Sequence, residues 1–277
     1  MTACSNCVVS SVTELTAFLS SIPRGSTLYL DLEGENLSRH GTITLVTILV
    51  HPQNITAIID VLTLGTSSFN TSSANGRSLK SILEDPSIPK CIWDLRNDTD
   101  ALWAHYRVGL TGVTDIQLLE NASRLAHRDK NYLSGLDNAI RYDLKLGYMD
   151  QQRWSQTKQD IRRLMPTGIF SKRPLDAKVI EYCVNDVKKL PDLQAVYMKR
   201  ITPDWLRKAQ RAMDQRLTEA RSPGYQPQSR EKAFGPWRSE SVSYRSLEDA
   251  LDDWRVAEMD DAQEMEDALE EWRWAEM

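Results

Sequence analysis

The sequence predicts an α/β fold in which helices pack against a mixed β-sheet. Strand-like segments come first along the chain, and helical segments follow and interleave with strands, which is the order expected for such layers. The 277 residues are 41% hydrophobic and 26% charged. These proportions allow a large buried core and are typical of a soluble globular protein.

Each predicted element follows from its local pattern. Four segments are rich in β-branched and aromatic residues and bounded by Gly, Pro or Asn, which predicts strands over 28–33, 42–50, 56–61 and 90–93. Helical periodicity of apolar residues predicts helices over 11–20, 77–84, 99–106, 115–127, 133–143 and 174–198. A further helix is predicted over 203–220, with Pro203 in its first turn.

Three regions differ in character. Residues 1–200 contain the alternating elements and form the predicted main domain, and the helix over 201–220 follows it. Residues 221–244 are dense in Ser, Pro, Gly and Gln and predict a linker. In the predicted amphipathic tail, residues 245–277, the segment 248–259 recurs 18 residues later, which is five helical turns. This tail could be an acidic docking helix for a protein partner, a phosphate mimic that covers a basic face, or a solvated segment.

The net charge of −5 argues at first sight against a nucleic-acid partner. However, 3 of the 34 basic and 13 of the 39 acidic residues lie in 245–277, so residues 1–244 carry a net charge of +5. The apolar runs are too short for a membrane span, and no secretory signal is apparent. Four cysteines are too few for a disulfide framework, so we expect an intracellular setting, cytoplasmic or nuclear.

Two pairs of side chains suggest a metal site. Asp31 and Glu33 share one face of the predicted strand over 28–33, where desolvation and mutual repulsion would favour protonation unless a divalent cation were bound. An exposed sheet edge explains this pair equally well. Tyr182 and Asp186 lie one turn apart on the last predicted helix of the main domain. Alone, that pair is better explained as a surface contact.

The strand-to-helix junction near residue 98 contains a third candidate. Asp98 precedes the apolar pattern of the following helix and could simply cap it. Asp115, at the next junction, is predicted to be a helix cap. The histidines show no ligand spacing and are predicted to be ordinary polar residues: His40, His51, His105 and His127.

In combination, these three motifs resemble those of the DEDD 3′–5′ exonucleases of the tyrosine subclass, whose fold is ribonuclease H-like. The similarity covers roughly residues 10–200 and is closest to the branch related to Egalitarian, and more distantly to RNase D. It is carried by 31–39, 78–85, 94–102, 115–119, 173–175 and 182–186. The resemblance implies three layers with a mixed five-stranded sheet, followed in this chain by a helical C-terminal extension.

The resemblance also implies a catalytic set. Asp31, Glu33, Asp98 and Asp186 would bind metal, and Tyr182 would orient the attacking water. Asp94 and Asp100 compete with Asp98 for the ligand role, and Asp98 is favoured because it occupies the aspartate position of the family's second motif. Converging carboxylates need compensating charge, and two Mg²⁺ or Mn²⁺ ions suit oxygen ligands better than zinc does. The implied function is 3′–5′ exonucleolytic hydrolysis of RNA or single-stranded DNA. The alternative is a nucleic-acid-binding adaptor with little or no catalysis, against which the intact carboxylate set argues.

Cationic residues crowd the segment 151–173, which just precedes Tyr182 and Asp186. They predict a surface for the phosphate backbone, with a solvated face as the alternative. The candidates are Arg153, Lys158, Arg162, Arg163, Lys172 and Arg173. Tyr29 and Trp154 could stack on a base or belong to the core. Arg39 follows the first motif closely and could contact the terminal nucleotide.

Overall fold

A computed structural model describes residues 6–125 and 129–238. Its strands are β1 (Asn6–Val9), β2 (Thr27–Glu33), β3 (Leu45–His51), β4 (Ile55–Asp60), β5 (Lys90–Ile92) and β6 (Val113–Asp115). They form one sheet in the order β1-β4-β3-β2-β5-β6. β3 runs antiparallel to β2 and β4, and the outer pairings are parallel. The sheet is therefore mixed, as predicted, but it has six strands rather than five.

Helices α1 to α11 surround the sheet. They are α1 (Val12–Ser21), α2 (Val61–Leu64), α3 (Ser67–Asn70), α4 (Leu79–Glu84), α5 (Arg96–Tyr106), α6 (Ile116–Ser123), α7 (Leu136–Asp143), α8 (Tyr148–Leu164), α9 (Ala177–Lys188), α10 (Leu190–Arg200) and α11 (Pro203–Arg221). None of the helices in the described part of the chain is long and apolar enough to cross a membrane.

Several elements differ from the sequence prediction for physical reasons. β1 and β6 contain only four and three residues, too few to show an alternating pattern. The single helix predicted over 174–198 is two helices, α9 and α10, because Pro191 lacks the N–H that a continuous helix requires and instead begins a new one. The cationic helix α8 was not predicted, because only Trp154, Lys158 and Ile161 of its 17 residues are buried.

The layers follow from the alternation of side chains along β2. Leu28, Leu30 and Leu32 point into a core shared with α1, α4 and α5 on one face of the sheet. Tyr29, on the other face, packs in a core with α6, α10 and α11. A third apolar cluster lies between α9 and the neighbouring strands β3 and β4. The predicted three-layer α/β arrangement is confirmed.

The segment that follows α11 is packed against the domain. Its Phe234 forms an isolated antiparallel bridge with Tyr132, and residues up to Trp237 belong to one compact unit. The predicted linker, 221–244, is therefore not a free connection in the part that the structure describes. The predicted acidic tail, 245–277, lies outside the described residues.

Candidate active site

Strand β2 places the first two carboxylates beside each other. Asp31 and Glu33 share a face with Tyr29, and they pair across the sheet with Thr47 and Leu45 of β3. The strand ends at Gly34, where a Cβ would lie only 1.9 Å from the carbonyl oxygen of Thr42. Glycine is thus required directly after Glu33 because the two backbones approach closely.

Helix α9 brings the third carboxylate to the same place. It packs across β2 and β3, with Val179, Cys183 and Val187 buried on its inner side. Tyr182 and Asp186 are also buried, so the simple surface contact considered for this pair is wrong. One carboxylate oxygen from each of Asp31, Glu33 and Asp186 lies within 4.8 Å of the others. This is the geometry of a potential metal site.

Some carboxylate oxygens at and near this site lack partners. Three buried carboxylate oxygens have no hydrogen bond: Oδ2 of Asp31, Oδ1 of Asp98 and Oδ1 of Asp186. Among the residues described, no other carboxylate oxygen is in that condition. Buried polar atoms are otherwise almost always satisfied. Orphaned, anionic oxygen donors fit hard divalent cations such as Mg²⁺ or Mn²⁺.

Burial and mutual repulsion disfavour the ionised forms of these groups. Burial, followed by the charge of Asp186, raises the pKa of Asp31 to about 7. Burial and then Asp31 raise the pKa of Glu33 well above its ordinary value. Burial also raises the pKa of Asp186, although Lys158 acts in the opposite direction. A bound cation would reverse the preference for the protonated forms.

Asp98 differs from the two aspartates that compete with it. Asp94 forms two hydrogen bonds of 2.6 and 2.7 Å to Arg96, and Asp100 accepts from Nε of Arg39 at 2.6 Å. Asp98 is buried with neither cation beside it, and burial followed by the charge of Asp31 raises its pKa well above the usual value. It lies in the first turn of α5 but is not its N-cap residue. Of these three aspartates, only Asp98 has a buried carboxylate oxygen without a partner, so it stays the candidate for the metal role.

Lys158 does not lie on the predicted nucleic-acid surface. It is buried on α8, and its Nζ lies 2.5 Å from Oδ2 of Asp186 and 4.2 Å from the ring centroid of Tyr182. Burial alone would lower the pKa of Lys158, but Asp186 and other nearby acids raise it above its ordinary value. The ammonium group is an internal counter-ion of the carboxylate cluster. The sequence does not indicate this contact, because Lys158 and Asp186 are 28 residues apart.

Tyr182 lies against the same cluster. Its side chain projects from α9, is buried and packs against Phe170, with the two ring centroids 5.9 Å apart. Burial and then the charge of Glu33 raise the pKa of the phenol above its ordinary value. The hydroxyl therefore stays protonated at neutral pH and can donate a hydrogen bond, and it lies close enough to Asp186 to oppose the rise that burial causes in the pKa of that carboxyl group.

Two other predicted nucleic-acid contacts have structural partners instead. Arg39 uses its guanidinium for Asp100 and for three backbone carbonyls near the end of α11. Arg173 forms two 2.6 Å hydrogen bonds to Asp60 and two more to backbone carbonyls. Both predictions are corrected, because the donors that would meet a phosphate are already used within the fold.

The remaining predicted nucleic-acid contacts include both buried and exposed side chains. Trp154 and Tyr29 are core residues, and Tyr29 donates a 2.6 Å hydrogen bond to Gln194, so neither presents a free face for a base. Arg162 is exposed but paired with Asp137. Arg153, Arg163 and Lys172 are exposed and stay candidates for phosphate contact.

Two further groups can be placed. Asp115 is the N-cap of α6, as predicted, and its Oδ2 also accepts a 2.5 Å hydrogen bond from Arg216 of α11. That second contact joins positions 101 residues apart, and no local pattern indicates it.

The carboxylate cluster contains none of the histidines that the structure describes. His127 lies outside the described residues.

The sequence matches the family model of a 3′–5′ exonuclease over residues 7–201. No curated protein sequence matches the chain. Among solved structures, Trypanosoma brucei RNase D bound to GMP is 23% identical with a TM-score of 0.64, and the match covers 78% of this chain and 64% of that one. The same protein in complex with RNA is 22% identical with a TM-score of 0.61, and the match covers 78% of this chain and 70% of that one.

Escherichia coli RNase D, described as an exoribonuclease involved in structured RNA processing, is 19% identical with a TM-score of 0.57, covering 78% of this chain and 51% of that one. The chain thus spans less than two thirds of the first of these structures and about half of the bacterial one. At sequence identities this low, the structural similarity shows a shared fold and nothing more. The predicted relation to the Egalitarian branch stays a prediction.

Proposed function

Since the chain belongs to the 3′–5′ exonuclease family, we propose that it is a metal-dependent exonuclease that shortens RNA or single-stranded DNA from the 3′ end. One observation carries the proposal. The carboxylates of Asp31, Glu33 and Asp186 converge within 4.8 Å, and oxygens of Asp31, Asp186 and the nearby Asp98 are buried without partners. Such an arrangement is costly for a protein that only binds nucleic acid.

The donor set fits two divalent cations, which Asp31, Glu33, Asp98 and Asp186 would hold. When bound, such ions lower the pKa of a water nucleophile and stabilise the oxygen that leaves from phosphorus. The protein's own contribution is positional. Tyr182, protonated at neutral pH, would donate a hydrogen bond that orients the attacking water, and its burial beside Lys158 fixes the ring.

RNA is the first substrate to test, because one structurally similar protein was solved with RNA and another is described as an exoribonuclease. The exposed side chains of Arg153, Arg163 and Lys172 would contact the phosphate backbone. A protein partner has no support in these comparisons and stays a prediction from the acidic tail. The intracellular setting likewise stays a prediction from the cysteine content.

The decisive experiment follows single-turnover cleavage of matched RNA, single-stranded DNA and duplex substrates in Mg²⁺, Mn²⁺ or EDTA. A 5′-labelled strand should give a ladder of progressively shorter products, and a 3′-phosphate should block it. Asp31→Asn and Asp186→Asn should abolish cleavage, whereas Asp204→Asn, an exposed acid on α11, should not. Tight binding without shortening in either metal would favour the adaptor, and cleavage that survives both substitutions would refute the proposed site.

A further inference from the structure

Residues 222–237, here called the C-terminal strap, lie beyond the part of the chain that matches the exonuclease family, 7–201. They nevertheless fold back onto α5, the helix that carries Asp98. The sequence predicts a linker here, so their contacts with the helix require an explanation. Those contacts concentrate on the residues that flank Asp98.

The residue directly before Asp98 receives two hydrogen bonds from the strap. Oδ1 of Asn97 accepts one from the hydroxyl of Tyr225 at 2.7 Å and one from Nζ of Lys232 at 2.5 Å. Arg96, one position earlier, donates to the backbone carbonyl of Lys232 at 2.9 Å. The first turn of α5 is thus held from outside the helix by side-chain and backbone groups of the strap.

Arg39 joins the other side of this turn to the strap. Its backbone N–H and Nε donate to the carboxylate of Asp100 at 2.7 and 2.6 Å. The other guanidinium nitrogens donate to the carbonyls of Ser222 and Pro223 at 2.7 and 3.1 Å. Arg39 lies in the loop after β2, the strand of Asp31 and Glu33, so it connects this loop to α5 and to the strap.

The far end of the strap is anchored independently of the active site. The backbone N–H of Leu133 donates to Ala233 at 2.9 Å, and that of Gly235 donates to Asn131 at 2.7 Å. At Gly235 a Cβ would lie 2.3 Å from the carbonyl oxygen of Lys130, so only glycine permits this approach. These backbone contacts hold the end of the strap in place, while Tyr225 and Lys232 bind Asn97 of α5.

We propose that the C-terminal strap is a positioning element that holds Asp98 in place for cation binding. Residues 96, 97 and 100 are all bound to the strap directly or through Arg39, whereas an oxygen of Asp98 is left free and buried. Holding the flanking residues fixes the orientation of Asp98, while Oδ1 of its carboxylate keeps no hydrogen-bond partner. The proposal rests on the proposed function, because it assigns Asp98 to the metal site.

The test compares full-length variants by three measurements: Mn²⁺ affinity by calorimetry, the thermal midpoint in EDTA, and oligonucleotide cleavage. Tyr225→Phe and Lys232→Met each remove one donor to Asn97, and the double variant removes both. Lys232→Arg retains a donor. Lys208→Met is the matched control, since Lys208 is an exposed cation of α11 that lies over the ring of Trp205.

The double variant should bind Mn²⁺ about 10-fold more weakly, the loss typical of residues that support a metal ligand. The single variants should be intermediate, Lys232→Arg should restore affinity, and Lys208→Met should match the wild type. A lower thermal midpoint with unchanged Mn²⁺ affinity would make the strap a structural brace and overturn the proposal. Weakened Mn²⁺ binding in a chain that cleaves no oligonucleotide would instead refute the proposed function and leave this proposal standing.

Discussion

Nζ of Lys158 lies 2.5 Å from Oδ2 of Asp186, within the cluster of carboxylates that we assign to metal. Asp137 is its second acidic neighbour, at 3.9 Å. The ammonium group thus neutralises part of the charge that a cation would otherwise balance. A metal that binds Asp186 has to share this carboxylate with Lys158 or displace it.

Lys158→Met should therefore make the chain more dependent on metal. Losing one partner of a buried ion pair costs about 3–5 kcal/mol, so the thermal midpoint in EDTA should fall by on the order of 10 °C. Mn²⁺ should raise the midpoint more in this variant than in the wild type, because it replaces the missing positive charge. Differential scanning fluorimetry with and without Mn²⁺ measures both effects.

Lys178→Met is the matched control for this substitution. Lys178 pairs with Asp160 at 2.7 Å, but both lie at the surface, where such a pair contributes little. Its midpoint should be nearly unchanged. Equal responses of the two variants to Mn²⁺ would contradict the role of Lys158 as a counter-ion.

The stability of the metal-free protein should fall as the pH rises. The pKa of Asp31 is raised to about 7 by burial and then by Asp186. In an unfolded chain the pKa of an aspartate side chain is about 3.9. When the pKa of a carboxyl group is higher in the folded state, its stabilising contribution is complete below the pKa of the unfolded chain. That contribution is lost as the pH rises through the pKa of the folded state. The loss should therefore develop between about pH 4 and pH 7.

Asp31→Asn isolates this contribution, because asparagine does not titrate. The difference in thermal midpoint between wild type and variant in EDTA should change over that pH range and then level off. Saturating Mn²⁺ should raise the wild-type midpoint most at high pH, where the carboxylates are ionised. A difference that does not depend on pH would show that the pKa of Asp31 is not raised.

The three aspartates near residue 98 should respond differently to replacement by asparagine. Asp98→Asn replaces a buried carboxyl group whose pKa is raised by burial, so the midpoint in EDTA should stay or rise while cleavage is lost. Its Mn²⁺ affinity should fall more than the roughly 10- to 100-fold typical of supporting residues. Asp94→Asn and Asp100→Asn break pairs with arginines and should lower the midpoint instead. If Asp98→Asn cleaves at the wild-type rate, Asp98 is not the metal ligand, and Asp94 or Asp100 becomes the candidate.

The parts of the site that sequence predicted are those with local spacing. Alternation along a strand put Asp31 and Glu33 on one face, and helical spacing put Tyr182 and Asp186 together, because both patterns are fixed by backbone geometry alone. Lys158 was misplaced on the surface, because its partner Asp186 is 28 residues away. The strap was predicted as a linker for a similar reason. Its composition suits a loop, and only distant partners such as Asn97 make it ordered.

The exposed cations supply the last prediction. Replacing Arg153, Arg163 and Lys172 with glutamine should weaken oligonucleotide binding and reduce its dependence on salt, while saturated cleavage stays close to wild type. Each contact with a single strand contributes about 0.7 to the slope of log affinity against log salt. Losing three should therefore make the slope shallower by about 2, as measured by fluorescence anisotropy across a salt series.

The matched control changes the same net charge elsewhere. Lys199, Lys208 and Arg211 are exposed cations of α10 and α11, and replacing them with glutamine should leave the slope near its wild-type value. If both triple variants shift the slope equally, affinity depends on net charge and not on a particular surface. If only the first does, the phosphate backbone runs along the segment 153–172, which precedes the helix of Tyr182 and Asp186.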